Sequence, residues 1–86
     1  MLLSVFDPRF REDLAYWVAQ DRRIALKILR LVEATLPEPF GGEGKPEPLK
    51  GYGANVWSRR ITQEHRLIYF VGKDRIQFLQ ARQHYA

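Results

Sequence analysis

The sequence contains no cysteine, which excludes disulfide staples and thiolate chemistry, and a small unstapled domain fits a reducing cytosol. It has two histidines, His65 and His84, too few beside the missing cysteines for a structural zinc site, and no cofactor is expected. No apolar run approaches the roughly 20 residues that a membrane-spanning helix needs. The opening stretch MLLSVFDPRF has a short apolar part with no basic residue before it, so a signal peptide is not expected. Eighty-six residues leave room for one domain, 1–86, with a single core.

What is present suits a compact globule. A 45% hydrophobic fraction with 13% aromatic residues argues against disorder. The net charge of +4 points to an anionic partner, of which a phosphate backbone is the commonest, although a modest surplus is also ordinary for a soluble protein. Residues 1–36 carry six basic and five acidic side chains, and residues 37–86 carry eight and five, so the excess lies mostly in the second half.

Residues 1–6 form a short apolar strand candidate. Asp7-Pro8 then reads as a helix start, with Asp as N-cap and Pro at the first helical position. Phe10, Leu14, Trp17 and Val18 follow on one helical face. Asp21 begins a second helix whose apolar residues Ile24, Ile28, Leu31 and Val32 repeat that spacing to about residue 36, where Pro37 and Pro39 end it. Residues 37–55 are different: four of the five prolines and five of the six glycines fall here. A loop this long in a compact domain is functional or disordered. Its prolines, with Phe40, Leu49 and Tyr52 available to pin it, favour an ordered loop.

Three strand candidates follow, at 56–61, 65–72 and 75–85, joined by connections short enough for antiparallel hairpins. The middle one is apolar on both faces, as a central strand is. The layout is α+β: two N-terminal helices packed on a mainly antiparallel twisted sheet, in the order β-α-α-β-β-β. If Ile61 faces Arg66 across the first hairpin, Arg59 opposes Ile68, Arg60 opposes Leu67, and three arginines gather at one end of a ribbon. Such a cluster either discourages edge-to-edge aggregation or, with Trp57 and Tyr69 nearby, serves as an RNA surface.

Glu47 lies in K-P-E-P-L-K, between two prolines and bracketed by Lys45 and Lys50. Flanking prolines fix the backbone and so aim the carboxylate, although a glutamate in a proline-rich loop is more often inert. His84 is the third residue from the end of the chain, where a histidine is often only a packed or solvated ring, and His65 reads as a turn residue. A carboxylate, a histidine and an arginine nevertheless form the minimum set for cleaving RNA by its own 2′-hydroxyl. A base removes the 2′-proton, a cation stabilises the phosphorane, and an acid protonates the departing 5′-oxygen. Histidine, with an ordinary pKa of about 6.5, suits the acid role. Spacing alone does not bring Glu47, Arg66 and His84 together.

Three separated motifs occur in order: GKPEPLK at 44–50, WSRRIT followed by EHRLIY within 57–69, and RQHY at 82–85. Together with the D-R-R-I start of the second helix, they strongly resemble the YoeB toxin family of type II toxin–antitoxin systems, within the RelE-like superfamily. The likeness runs nearly end to end. The resemblance implies a RelE-like fold and a cytoplasmic, ribosome-dependent mRNA endonuclease that enters the ribosomal A site, cuts the codon there and stops translation. It implies that Glu47 is the general base, His84 the general acid and Arg66 the phosphate-stabilising cation. Tyr85 is expected to stack against or orient the substrate, and Lys50 and Arg60 match supporting basic positions. Arg59 and Lys45 join them as expected substrate contacts through their charge. The implied partners are mRNA and rRNA on the ribosome, a YefM-like antitoxin whose disordered tail folds over the site, and a second copy in a homodimer. Ala86 departs from the family pattern, in which the chain often stops at the tyrosine. The alternative reading is a non-catalytic RelE-like regulator that binds nucleic acid or a partner, or a simple interaction module with a solvated basic face.

Overall fold

A computed structural model describes residues 2–82. Its elements are β1 (Leu3–Phe6), α1 (Pro8–Gln20), α2 (Arg22–Thr35), β2 (Glu47–Pro48), β3 (Val56–Arg60), β4 (Arg66–Val71) and β5 (Arg75–Gln80). The expected α+β architecture is present, with one addition, the two-residue strand β2 inside the proline-rich segment. The strands form one sheet in the order β1-β5-β4-β3-β2, in which β1 runs parallel to β5 and the other pairs are antiparallel. β4 is central, as its two apolar faces require. Among the described residues, no helix is long and apolar enough to cross a membrane.

Both helices start where the sequence places them. Asp21 caps α2 by accepting the Arg23 N–H at 3.1 Å. Asp7 occupies the N-cap position of α1, but its side chain makes no cap bond and instead accepts from Gln77 Nε2 at 2.8 Å, tying the helix start to β5. The α2 stripe is as expected: Ile28, Leu31 and Val32 are buried and Ile24 half-buried. In α1, however, Val18 is 55% exposed and the buried positions are Phe10, Asp13 and Trp17. The apolar face is thus rotated toward a carboxylate.

The core lies between the helices and one sheet face. It is built from Phe10, Trp17, Ile28, Leu31, Leu67, Tyr69, Ile76 and Phe78, with Phe6 stacked on Phe10 and Phe78. Among the described residues, no helix packs on the opposite face of the sheet.

The β3–β4 register differs from the expected one. Arg60, not Ile61, pairs with Arg66, Arg59 pairs with Leu67, and Ser58 pairs with Ile68. The connection is five residues, 61–65, closed by Ile61 and Thr62 N–H groups donating to the His65 carbonyl. Thr62 Oγ1 accepts the N–H groups of Glu64 and His65 and tightens it. A one-residue slip sends every side chain to the other face. Arg59 therefore points into the core side and Arg60 to the open face. β5 ends at Gln80, short of the 75–85 strand expected.

Candidate active site

The open face is assembled across four strands. Glu47 pairs with Ser58, Ser58 with Ile68, and Ile68 with Gln80, so these four residues form one row across the sheet. Ser58 and Ile68, both 2% exposed, form its floor. Residues paired across a sheet share a face and alternate residues return to it, so Arg60 and Arg66 lie on the same side as Glu47, one step further along. Two strand spacings and two residues separate the backbones of Glu47 and Arg66 by about 12 Å. A phosphodiester lodged between them is within reach of both side chains.

The local sequence explains how the backbone at Glu47 is held. Pro46 and Pro48 restrict the backbone on either side, and an edge strand is where a sheet tolerates prolines. Ladder bonds are made beyond them: Arg60 N–H donates to the Gly44 carbonyl at 2.7 Å, and Leu49 N–H to the Val56 carbonyl at 2.9 Å. The first of these brings the chain at Lys45 alongside Arg60. Glu47, Lys45, Lys50 and Arg60 are all exposed. Lys45 holds a left-handed conformation at φ 50°.

Arg66 is half-buried, and its Nη1 donates to the carbonyls of Thr62 at 2.8 Å and Gln63 at 2.9 Å. The turn residues thus hold the guanidinium while its strand carries it to the open face.

Arg59 does not belong to this surface. It is 0% exposed. Its Nη1 donates to the Glu43 carbonyl at 2.6 Å, its Nη2 to the carbonyls of Glu38 at 2.6 Å and Gly41 at 2.8 Å, and its Nε to the Tyr69 hydroxyl at 3.2 Å. Tyr69 in turn donates to the Pro39 carbonyl at 2.7 Å. The expected substrate contact is instead the bolt that orders the loop leading to Glu47. A second tie on the same loop is outside: Arg30 forks onto the Glu43 carboxylate, with the shortest contact 2.6 Å. These hydrogen bonds lower the Glu43 pKa and raise that of Arg30. Phe40 packs on Trp57, as its role in pinning the loop requires.

His84 and Tyr85 lie outside the described residues. What is described is where their segment begins. Ala81 N–H donates to Asp13 Oδ2 at 2.9 Å, Trp17 Nε1 donates to the Ala81 carbonyl at 3.0 Å, and the Arg82 guanidinium lies 3.6 Å from the centre of the Tyr16 ring. Sequence reasoning missed this anchor. The signal was a carboxylate, Asp13, among Phe10, Leu14 and Trp17 at core spacing. His65 sits with its ring edge-on to Trp17, at 4.8 Å between centroids.

With the geometry in place, comparison with known proteins gives a family. A model of the YoeB-like toxin of bacterial type II toxin–antitoxin systems matches residues 6–85. The chain belongs to the YoeB family of toxins. It is 50% identical over 80 residues to Toxin RelK of Mycobacterium tuberculosis, covering 93% of this chain and 94% of the relative. Among solved structures it is similar to the YoeB dimer of Staphylococcus aureus, with 35% identity, a TM-score of 0.88 and 98% of each chain covered. It is also similar to the YoeB–YefM complex of the same organism, with 34% identity, a TM-score of 0.84 and 99% of each chain covered. The motifs that carry the family resemblance place Glu47, Arg60 and Arg66 on three adjacent strands of the open face.

Proposed function

We propose that this YoeB-family toxin is a ribosome-dependent mRNA endonuclease that works by general acid–base catalysis in the cytoplasm. The observation that carries the reading is the gathering of Glu47, Arg60 and Arg66 on one helix-free face, with the root of the His84 segment at the far end of the same row of residues. Glu47 takes the proton of a 2′-hydroxyl, O2′ attacks the adjacent phosphorus, and the P–O5′ bond breaks. His84 gives its proton to the departing O5′, leaving a 2′,3′-cyclic phosphate and a 5′-hydroxyl. Arg66, supported by Arg60, neutralises the phosphorane. Tyr85 stacks on or orients a base, and Lys45 and Lys50 hold the backbone on either side of Glu47. The step uses neither a metal ion nor a cofactor.

The partners follow from the family. A YefM-like antitoxin covers the site, as the name of the Staphylococcus aureus complex suggests, and a second copy of the chain forms a homodimer. The ribosome supplies the codon and holds it in a cleavable conformation that free RNA lacks.

Induced expression arrests growth of a bacterial host, and a YefM-like antitoxin expressed with it restores growth. Purified toxin cuts mRNA on programmed ribosomes and leaves naked RNA intact at the same concentration. Glu47→Ala and His84→Ala each abolish arrest while keeping the fold. A double variant as toxic as the parent, or equal cutting of naked RNA, refutes the reading.

A further inference from the structure

Both backbone groups of Ala81 are taken by side chains of α1. Asp13 accepts its N–H and Trp17 donates to its carbonyl, across sequence separations of 68 and 64. Asp13 and Trp17 are one helical turn apart on the same face, and both are buried. β5 has ended at Gln80, so Ala81 lies beyond the last ladder residue and is held by this clamp instead. A buried carboxylate is costly to desolvate, and this one is accompanied by Arg9 at 3.6 Å. Such an expense is out of scale for closing one strand end, where a backbone turn would suffice.

The second half of the clamp touches the turn that seats Arg66. The Trp17 ring that holds Ala81 through Nε1 also meets His65 edge-on. The His65 carbonyl closes the turn whose Thr62 and Gln63 carbonyls hold Arg66. One indole therefore joins the root of the C-terminal segment to the seat of Arg66. Three residues of chain reach at most about 10 Å, so what is held at Ala81 limits how far the following residues can stray from that point.

We propose that Asp13 and Trp17 are positioning residues that fix Ala81, the root of the C-terminal segment, relative to the Arg66 turn, and through that root serve the acid role of His84. This rests on the reading of His84 as the acid. The test is single-turnover cleavage on programmed ribosomes by the full-length toxin, with each variant's melting curve recorded. Trp17→Phe keeps an aromatic ring and loses the donor. Asp13→Ala loses the acceptor, and Asp13→Asn restores one. Trp17→Phe and Asp13→Ala lower the rate about 10–100-fold with ribosome affinity unchanged, while Asp13→Asn stays near the parent rate. In a His84→Ala background the same substitutions have no further effect, because residues acting through one group are not additive. The limb of the pH–rate profile set by a titrating histidine flattens in Trp17→Phe as it does in His84→Ala.

Equal losses with and without His84 overturn the clamp while leaving the acid assignment standing. A His84→Ala variant that cuts at the parent rate removes the acid assignment, and the clamp inference with it. Should Asp13→Ala fail to fold, Trp17→Phe and its double with His84→Ala decide the matter alone.

Discussion

Arg60 stands directly opposite Arg66 across β3 and β4. Like charges facing each other on a sheet cost a few tenths of a kcal/mol to about 1 kcal/mol. Arg66 relieves part of this by turning Nη1 toward the Thr62 and Gln63 carbonyls, and in the proposed function an RNA phosphate between the pair would relieve the rest. Arg60→Gln is therefore expected to raise the thermal midpoint by about 1–5 °C. The same change weakens binding to programmed ribosomes and lowers the salt slope of the affinity by about one. Melting curves and a salt series check both halves. A lower midpoint with unchanged affinity contradicts the arrangement.

Arg59 serves the fold rather than the substrate. Arg59→Met strips partners from the carbonyls of Glu38, Gly41 and Glu43 and from the Tyr69 hydroxyl. The expected loss is about 3–4 kcal/mol, or at least about 12 °C in melting temperature. Arg59→Lys keeps the charge but not the planar fork, and it is expected to be nearly as damaging. A lysine variant that melts like the parent and loses only ribosome affinity returns Arg59 to the surface role that its charge first suggested.

Much of the fold was legible in the sequence because periodicity and caps report local structure directly. Ile28, Leu31 and Val32 mark the buried side of α2, Asp21 marks its start, and the two apolar faces of 67–71 mark the central strand. The β3–β4 register was not legible. A connection of four residues, 62–65, and one of five, 61–65, fit the text equally well, and that single choice decides which residues Arg59 and Arg60 face. The parallel pairing of β1 with β5 depends on a partner some 70 residues away and leaves no local mark. The site divides in the same way. The prolines around Glu47 pointed to a restricted backbone, and β2 is the strand that pairs Glu47 with Ser58. The Asp13–Ala81 bond joins residues 68 apart, and only the polar interruption of an apolar stripe hinted at it.

The two ends of the pH scale are expected to loosen the same loop through different groups. Burial raises the Tyr69 pKa above its ordinary value near 10, with the Arg59 charge and hydrogen bond opposing. A group whose folded pKa is raised contributes its full stability below the unfolded value and loses it as pH climbs through the folded one. Stability thus falls above pH 10, and ultraviolet titration shows a delayed tyrosine step that is absent in Tyr69→Phe. Glu43 has the opposite sign. Its pKa is lowered by Arg30, so its contribution is present above the ordinary carboxylate range and lost as pH falls through the depressed value. That pair is exposed, so added salt is expected to mute the acid effect. An acid limb unchanged by Arg30→Ala counts against it.

Gly44 is expected to be the most sensitive glycine of the loop. It has φ +91°, and a Cβ there would lie 3.0 Å from Arg59 Cβ and 3.3 Å from Leu31 Cδ2. Gly51, at φ +85°, has nothing within 4 Å and isolates the backbone cost alone. Gly51→Ala should cost about 1 kcal/mol and Gly44→Ala about 2–4 kcal/mol, the difference reporting the close approach of the loop to the buried arginine. Because the Gly44 carbonyl accepts the Arg60 N–H at 2.7 Å, crowding at Gly44 also shifts the chain at Lys45 and Glu47. Cleavage on ribosomes should accordingly fall about 10–100-fold in Gly44→Ala, even under conditions where the variant is fully folded. Gly51→Ala should keep most of its rate. Denaturant melts and single-turnover cleavage of the two variants side by side make the comparison, and equal losses at both positions would show that the contact with Arg59 does not set the position of Glu47.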